Sequence, residues 1–225
     1  QSSRAKRVPM ASLPKPQIKF LPTLKQHQAW QLLTSPSSVV EEITFGGGAG
    51  GGKTTLACAW LIITAMMYPG IRSLIGRKEL TRLKQSVLLA LFDLFSAWKF
   101  VPGLHYTYNA QDKKITFFNP HAEWYDQRFI GGSEFHFYDL DYMPSDPLYE
   151  RLGSIEYTNG FIEEAAEVEQ KAKDVVKSRL RYKLDDFGLI PKLLLTCNPS
   201  KNYLYYEFYK PFKEGRLEYY KAFVQ

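Results

Sequence analysis

A glycine-rich stretch that ends in a lysine and a threonine carries the most specific chemical signal in the sequence. Residues 47–54 read Gly-Gly-Ala-Gly-Gly-Gly-Lys-Thr, which fits the phosphate-binding pattern G-x-x-x-x-G-K-S/T. Glycines allow successive backbone N–H groups to face an anion at a helix N-terminus, where unpaired donors favour phosphate. In such a loop Lys53 reaches the β- and γ-phosphates, and the Thr54 hydroxyl binds Mg²⁺. The pattern therefore predicts a site for a nucleoside triphosphate and magnesium.

A flexible glycine linker that ends in Lys-Thr-Thr by chance is the alternative interpretation of this stretch. The flanking segments argue against it. Residues 39–45 are apolar and β-branched, as in a buried strand, and residues 53–67 have helical character. Strand, loop and helix in this order are what a phosphate-binding loop requires.

Two adjacent glutamates, Glu163 and Glu164, directly follow a short apolar segment at residues 159–162. Transfer of a phosphoryl group to water requires a carboxylate near the metal and a second group that orients the attacking water. A parallel strand ends at the edge of the sheet where ligands bind in open α/β folds. We therefore assign Glu163 to Mg²⁺ and Glu164 to water activation. In the alternative interpretation, both acids only favour the start of the next helix through its dipole.

A second apolar segment, residues 192–196, ends in Thr196 and is followed by Asn198 and a proline. A short polar side chain in this position is suited to sensing a γ-phosphate. Ordinary turn chemistry at the end of a strand explains the same residues equally well.

These groups need a scaffold, and the hydrophobic pattern predicts one of alternating helices and strands. Helices are predicted at residues 24–33, 53–67, 79–98 and 168–182, strands at 39–45, 72–75, 134–138, 159–162 and 192–196, and a hairpin around 105–108 and 114–118. This alternation predicts a three-layer α/β fold with a mainly parallel sheet and helices on both faces.

The bulk properties are those of an ordinary globular domain. The 225 residues include 45% hydrophobic and 23% charged residues, and the net charge of +6 suits a polyanionic partner. The two cysteines lack metal-site or disulfide-framework spacing, and no apolar run is long enough to cross a membrane, so an intracellular setting is expected. Residues 1–23 are predicted to be an arm or lead-in, and residues 24–225 a single domain.

The order of the motifs resembles that in the N-terminal packaging ATPase domain of tailed-bacteriophage large terminase subunits, and the similarity covers nearly all of the chain after Leu24. Residues 44–54 are similar to the Walker A segment of this family, and residues 160–165 to its Walker B segment with the catalytic glutamate. Residues 193–199 are similar to its coupling motif. Residues 24–26, upstream of Trp30, are similar to its adenine-recognising glutamine motif.

The resemblance implies a P-loop NTPase fold with an additional strand between the two Walker strands. It implies ATP and Mg²⁺ as cofactors, and ATP-driven translocation of double-stranded DNA into a procapsid. The implied partners are double-stranded DNA, the portal protein, the small terminase subunit and further copies of the chain in a ring. The implied location is the host cytoplasm, with transient docking on the procapsid.

Residues 75–80 are similar to a family segment with a functional arginine, and residues 177–181 to another basic segment. Because Ala49 stands where some relatives have a Walker A arginine, Arg77 is the first candidate for a transition-state arginine, with a neighbouring subunit's site as its target. Arg179 and Arg181 are the other candidates. The alternative for Arg77 is a surface ion pair with Glu79 or another acid. Glu163 also departs from the aspartate that is usual at the metal position.

The pattern and the resemblance together define three groups of site residues. The catalytic group is Glu164, Lys53 and Arg77, and the metal group is Thr54 and Glu163. The nucleotide-binding group is Gln26, Gly47, Gly48, Ala49, Gly50, Gly51, Gly52, Lys53, Thr54, Thr55 and Asn198.

Other activities are either not predicted or remain as alternatives. Asp139, Asp141 and Asp146 do not form a credible nuclease cluster, and the four histidines have no metal-ligand spacing. The aromatic segment 203–223 is assigned to packing in preference to base stacking. Two alternatives to the packaging motor stay open: another nucleic-acid-dependent P-loop ATPase, such as a helicase or recombination motor, and a non-catalytic nucleotide-binding assembly module.

Overall fold

The computed structural model describes residues 15–48, 50, 52–118 and 132–225, and within these ranges the chain forms a sheet with helices on both faces. The strands are β1 (Glu42–Gly46), β2 (Arg72–Arg77), β3 (Tyr106–Asn109), β4 (Lys114–Phe117), β5 (Glu134–Asp139), β6 (Asn159–Ile162), β7 (Lys192–Cys197) and β8 (Lys221–Val224). The helices are α1 (Leu24–Thr34), α2 (Lys53–Met67), α3 (Leu80–Leu83), α4 (Leu89–Ala97), α5 (Gln170–Ser178), α6 (Leu184–Phe187) and α7 (Lys210–Lys213).

The strand order is β3-β4-β5-β2-β6-β7-β1-β8, and every pairing from β5 to β8 is parallel. Strands β3 and β4 form the predicted hairpin, which pairs antiparallel with β5. Strand β7 lies between β1, which leads into the glycine loop, and β6, which leads into the glutamate pair. The predicted three-layer α/β fold with an additional strand between these two is confirmed.

Helix α2 is the main packing element of one face of the sheet. Its residues from Leu56 to Ile62 are all buried, and they pack in an apolar core with α1, α4 and the antiparallel strands. A second core on the opposite face is formed by α5 and the segments around Tyr149 and Phe208. Because apolar surface is buried on both faces, the central strands have almost no exposed residues, as parallel strands require.

The predicted helix at 79–98 is divided by a π-helical turn. Helix α3 ends at Leu83, residues Lys84–Leu88 have π-helical hydrogen bonding, and α4 continues from Leu89. The backbone stays in the right-handed helical region on both sides of the turn, at Leu83 and at Leu89. Such turns insert one residue into a helix and are frequent at functional sites.

Several boundaries differ from the sequence predictions. Strand β1 begins at Glu42 because Val39 is exposed and the Val40 carbonyl accepts a hydrogen bond from Lys192. The helix predicted at 168–182 is limited to α5, after which Leu180 forms a bridge with Tyr157. Strand β8, α7 and a π-helical turn at Tyr205–Tyr209 were not predicted.

The last part of the predicted lead-in lies against the domain in extended form. The Gln17 N–H donates to the Trp98 carbonyl at 2.6 Å, and Trp98 Nε1 donates to the Lys19 carbonyl at 3.0 Å. The Phe20 ring is 5.0 Å from that of Trp30. Residues 1–14 of the lead-in lie outside the described residues.

A buried ion-pair network joins β1, α5 and the π-helical turn at Tyr205–Tyr209 on the second face. The Lys173 ammonium on α5 is 3.2 Å from Glu42 of β1 and 2.8 Å from Glu207 of the C-terminal π-helical turn. Burial alone would lower the pKa of Lys173, but hydrogen bonds to Asp174 and Glu207 raise it.

None of the described helices has the length and apolar character needed to cross a bilayer.

Candidate active site

The glycine loop connects β1 to α2 at the carboxyl end of the parallel strands. Gly47, Gly50 and Gly52 have φ angles of 142°, 82° and 66°, which lie in the region that favours glycine. Gly52 is the N-cap of α2, so the first turn of that helix faces the loop. Ala49 and Gly51, both predicted nucleotide contacts, lie outside the described residues.

Gln26 is placed directly against this loop. Its Nε2 donates to the Gly52 carbonyl at 2.9 Å, and its Oε1 accepts from the Thr23 N–H at 2.9 Å, which completes a capping box at the start of α1. The side chain is buried and is held at both ends. Gln26 therefore fixes the position of the loop relative to α1.

The Lys53 ammonium is buried and folds back over the loop. It donates to the Gly47 carbonyl at 2.8 Å, the Gly48 carbonyl at 3.0 Å and Asn198 Oδ1 at 3.1 Å. An ammonium has three protons, and each of them has an oxygen partner here. Lys53 thus joins the loop after β1 to the end of β7.

The two predicted metal-binding residues are in direct contact. Thr54 Oγ1 donates to Glu163 Oε1 at 2.9 Å. Glu163 follows the last residue of β6 and is 3% exposed. A hydroxyl and a carboxylate oxygen at this separation are hard oxygen ligands of the kind that Mg²⁺ prefers, so the donor set fits magnesium bound beside a phosphate.

Arg77 lies on the other side of Glu163, in the same chain. Because β2 and β6 are parallel neighbours, Arg77 and Glu163 end up side by side, and Arg77 Nη1 donates to Glu163 Oε2 at 2.9 Å. Ser86 also donates to this oxygen and accepts from Arg77 Nη1 at 3.0 Å. Glu79, the surface partner weighed for Arg77, pairs with Arg82.

Glu164 occupies the open side of the site. Its φ and ψ of 47° and 49° are left-handed, a strained conformation for a non-glycine residue that often occurs at functional sites. Both of its carboxylate oxygens accept hydrogen bonds from Asn198 Nδ2, at 3.2 and 3.1 Å. Asn198 therefore links the Lys53 ammonium to the carboxylate assigned to water activation.

Other predicted residues are not brought into this arrangement. Thr55 is exposed, and the buried Thr196 hydroxyl has no hydrogen-bond partner among the described residues. Arg181 pairs with Glu156 at 2.7 Å, and Arg179 lies beside it near the amino end of β6, at the opposite edge of the sheet from the glycine loop.

A cavity of about 310 Å³ adjoins the loop, and sequence reasoning missed it. It is lined by Gly46 and Gly47, by residues 197–202 and by the aromatic rings of Tyr205, Tyr209 and Phe223. Gln26 is not part of its lining. The aromatic residues at 205–209 were the only sequence feature that could have indicated this cavity, but their spacing is also that of ordinary core residues.

Several other titratable groups are buried or paired and are accounted for by packing or by structural ion pairs. Burial raises the pKa of both free thiols, that of Cys197 to about 11. Asp146 pairs with Arg151, and His136 with Glu134. His121 lies outside the described residues, and in the ranges that are described no group of three or more His, Cys, Asp or Glu side chains is arranged to hold a metal.

Comparison with solved structures identifies the fold. The large terminase of a thermophilic bacteriophage matches with a TM-score of 0.63 and 16% identity over 91% of this chain and 46% of the terminase. The large terminase ATPase domain of Thermus phage P74-26 matches with a TM-score of 0.56 and 14% identity over 85% of this chain and 70% of that domain. The HK97 bacteriophage large terminase matches with a TM-score of 0.61 and 9% identity over 90% of this chain and 39% of that protein.

The first of these terminases also matches in its complexes with ADP and with ATP-gamma-S. The chain spans slightly less than half of that terminase. No protein-family model and no curated protein matches the sequence. The chain therefore has the fold of phage large terminase ATPase domains, as its motifs predicted.

Proposed function

We propose that this chain hydrolyses ATP as the motor domain of a viral DNA-packaging enzyme. The observation that carries the proposal is the convergence of three strand ends on one loop. Thr54 and Glu163 are in contact at 2.9 Å, and Asn198 links Lys53 to Glu164. These are the groups that a phosphate-binding loop needs for binding and hydrolysis.

Residues of the loop bind the triphosphate in this proposal. Backbone N–H groups of residues 47–54 surround its phosphates, and the Lys53 ammonium leaves the loop carbonyls for phosphate oxygens. Thr54 and Glu163 would hold Mg²⁺, which would supply positive charge beside the bound phosphates. The aromatic cavity beside Gly46 and Gly47 offers an apolar space for the base.

Glu164 then acts on the water that attacks the γ-phosphoryl group. Its carboxylate orients this water and accepts a proton from it, while the water oxygen bonds to phosphorus and ADP departs. The Asn198 amide holds the carboxylate, and its contact with Lys53 connects the water-activating side of the site to the phosphate-binding side. Turnover by the isolated domain is expected to be slow, because DNA and ring neighbours are missing.

The partners proposed for the chain are double-stranded DNA, the portal protein, the small terminase subunit and further copies of the chain in a ring. The proposed location is the host cytoplasm, with transient docking on the procapsid. The fold shared with large terminases and the net charge of +6 support these assignments.

The test is Glu164→Gln, because this change keeps the size of the side chain and removes its basicity. We expect unchanged affinity for ATP and a loss of hydrolysis of about 100-fold or more, in line with the contribution of a general base. Binding is measured by calorimetry and hydrolysis by phosphate release. Glu167→Gln is the matched control, because Glu167 lies three residues away and only approaches Arg82.

Wild-type turnover in Glu164→Gln would remove this residue from the mechanism. DNA-stimulated hydrolysis accompanied by strand separation would favour a helicase. An absence of hydrolysis by the wild-type chain, even with DNA and a portal present, would favour a non-catalytic assembly module.

A further inference from the structure

Ser86 lies on the π-helical turn between α3 and α4 and reaches the carboxylate assigned to the metal. Its hydroxyl donates to Glu163 Oε2 and lies 3.0 Å from Arg77 Nη1. Neither the loop pattern nor the resemblance pointed to this residue.

The Glu163 carboxylate is divided between two sets of partners. Oε1 faces Thr54, whereas Oε2 faces Arg77 and Ser86. A glutamate is one methylene longer than the aspartate that is usual at this position, so its carboxylate has more freedom to rotate. Partners on Oε2 remove that freedom and keep Oε1 directed at Thr54.

The π-helical turn determines which way Ser86 faces. One inserted residue rotates the following part of a helix by about 100° relative to a regular α-helix. The neighbouring residues Leu83 and Val87 stay buried in the core, while Ser86 is presented to Glu163 across β2.

The Ser86 hydroxyl has a single proton and two kinds of acceptor within reach. One is the carboxylate oxygen Glu163 Oε2, and the other is the pair of helix carbonyls of Arg82 and Leu83, at 2.9 and 3.5 Å from Oγ. Arg77 Nη1 donates to both Ser86 and Glu163, so the arginine favours the arrangement in which the serine proton points to the carboxylate. Serine, arginine and glutamate thus form a closed triangle of hydrogen bonds.

We propose that Ser86 is a positioning residue which, together with Arg77, orients Glu163 for the metal. This inference rests on the proposed function, because it assigns Ser86 a role in the same magnesium–nucleotide site. The Ser86 hydroxyl contacts Glu163, Arg77 and carbonyls of its own helix, so in this proposal it acts on the metal through the carboxylate. Loss of the Ser86 hydroxyl is therefore expected to weaken the binding of Mg²⁺ and to leave the nucleotide affinity measured without metal unchanged.

The experiment is a Mg²⁺ titration of Ser86→Ala at saturating ATP. Loss of a group that orients a metal ligand typically costs 10- to 100-fold in metal affinity or activity, so we expect the half-saturating Mg²⁺ concentration to rise by about 10-fold. Nucleotide affinity measured in EDTA is expected to stay unchanged. Ser86→Thr retains the hydroxyl and is expected to restore the wild-type Mg²⁺ dependence.

Ser96→Ala is the matched control, because Ser96 is an exposed serine on α4. An unchanged Mg²⁺ dependence in folded Ser86→Ala would overturn the proposal. Equal losses of metal-free and metal-dependent nucleotide binding would also overturn it, since they indicate a purely structural role. If the wild-type chain binds magnesium–ATP without hydrolysing it, the proposed function fails, and the same titration followed by nucleotide binding still decides the role of Ser86.

Discussion

At the scale of single residues, the contact between Gln26 and Gly52 fixes the start of α2. Gly52 has a φ of 66°, and a Cβ atom at this position would lie 2.5 Å from Gln26 Nε2. Any other residue at position 52 would have a strained backbone conformation. Its side chain would also collide with the buried amide of Gln26, which cannot easily move because its oxygen is bonded to Thr23.

We expect Gly52→Ala to lower the free energy of unfolding by about 1–2 kcal/mol from the left-handed conformation alone, with a further loss from displacement of Gln26. ATP affinity is expected to fall as well, since the loop moves. Gly188→Ala is the control, because Gly188 has a φ of 62° with open space around its Cβ position. Chemical unfolding and calorimetric ATP binding measure the two effects. Equal losses of stability in both variants and unchanged ATP affinity in Gly52→Ala would show that the Gln26 contact has no role.

The residues predicted from sequence are those whose pattern is local. Lys53 and Thr54 follow from the loop, and Glu163 and Glu164 from their position after a strand. Ser86 was not predictable, because its role depends on a π-helical turn that hydrophobic periodicity does not reveal. The partner of Arg77 was also not predictable, because it depends on the pairing of β2 with β6.

At the scale of elements, the start of β7 contains a buried lysine, Lys192, whose hydrogen bonds go to uncharged oxygens and whose nearby carboxylate, Glu41, only partly offsets the effect of burial on its pKa. The Lys192 ammonium donates to the Ser38 carbonyl at 3.0 Å, to the Ser38 hydroxyl at 3.2 Å and to the Val40 carbonyl. Burial lowers its pKa to about 8. The charged form is thus disfavoured in the folded protein.

This pKa predicts how stability changes with pH. Folded Lys192 releases its proton near pH 8, whereas an unfolded lysine releases it near pH 10.4, so between these values the unfolded state binds more protons. The Lys192 contribution to the free energy of unfolding therefore rises with pH across this window. We expect the stability of wild type relative to Lys192→Met to increase from pH 8 to pH 10 in urea unfolding. A pH-independent difference would contradict the lowered pKa.

Helix α2 and strand β6 have the predicted bounds, because a long apolar helix and a strand between turn residues are strong local signals. Strand β8 was missed because four residues at the edge of a sheet carry little pattern. Its pairing with β1 is stabilised by contacts with residues distant in the sequence, such as the ion pair between Lys221 and Glu207 at 3.0 Å.

At the scale of the whole molecule, the order of the strands determines which residues of one chain meet. Strands β1, β7, β6 and β2 are consecutive neighbours, so the residues at their carboxyl ends form one site within a single chain. Arg77 contributes to this site through its ion pair with Glu163. The expectation that Arg77 serves a neighbouring subunit stays a prediction, and the ion pair supports a second proposal, in which Arg77 acts in its own chain.

Mixing two inactive variants tests this assignment in the proposed ring. If Arg77 acts in its own chain, mixtures of Arg77→Ala and Glu164→Gln remain inactive, because every chain lacks one essential group. Recovery of ATP hydrolysis above that of the separate variants would show that Arg77 acts between subunits. Mixtures of each variant with wild type are the control for exchange of chains.

The three hydrogen bonds of the Lys53 ammonium have a consequence for the end of the proposed reaction cycle. Its ammonium donates to oxygens of Gly47, Gly48 and Asn198, so in the proposed cycle it can return to these partners when ADP leaves and is not left as a bare buried cation. The net affinity for nucleotide then depends on the difference in free energy between two states, in both of which the Lys53 ammonium is fully hydrogen-bonded. This limits how tightly nucleotide is retained, which suits the proposed motor, because such a motor must empty and refill its loop many times.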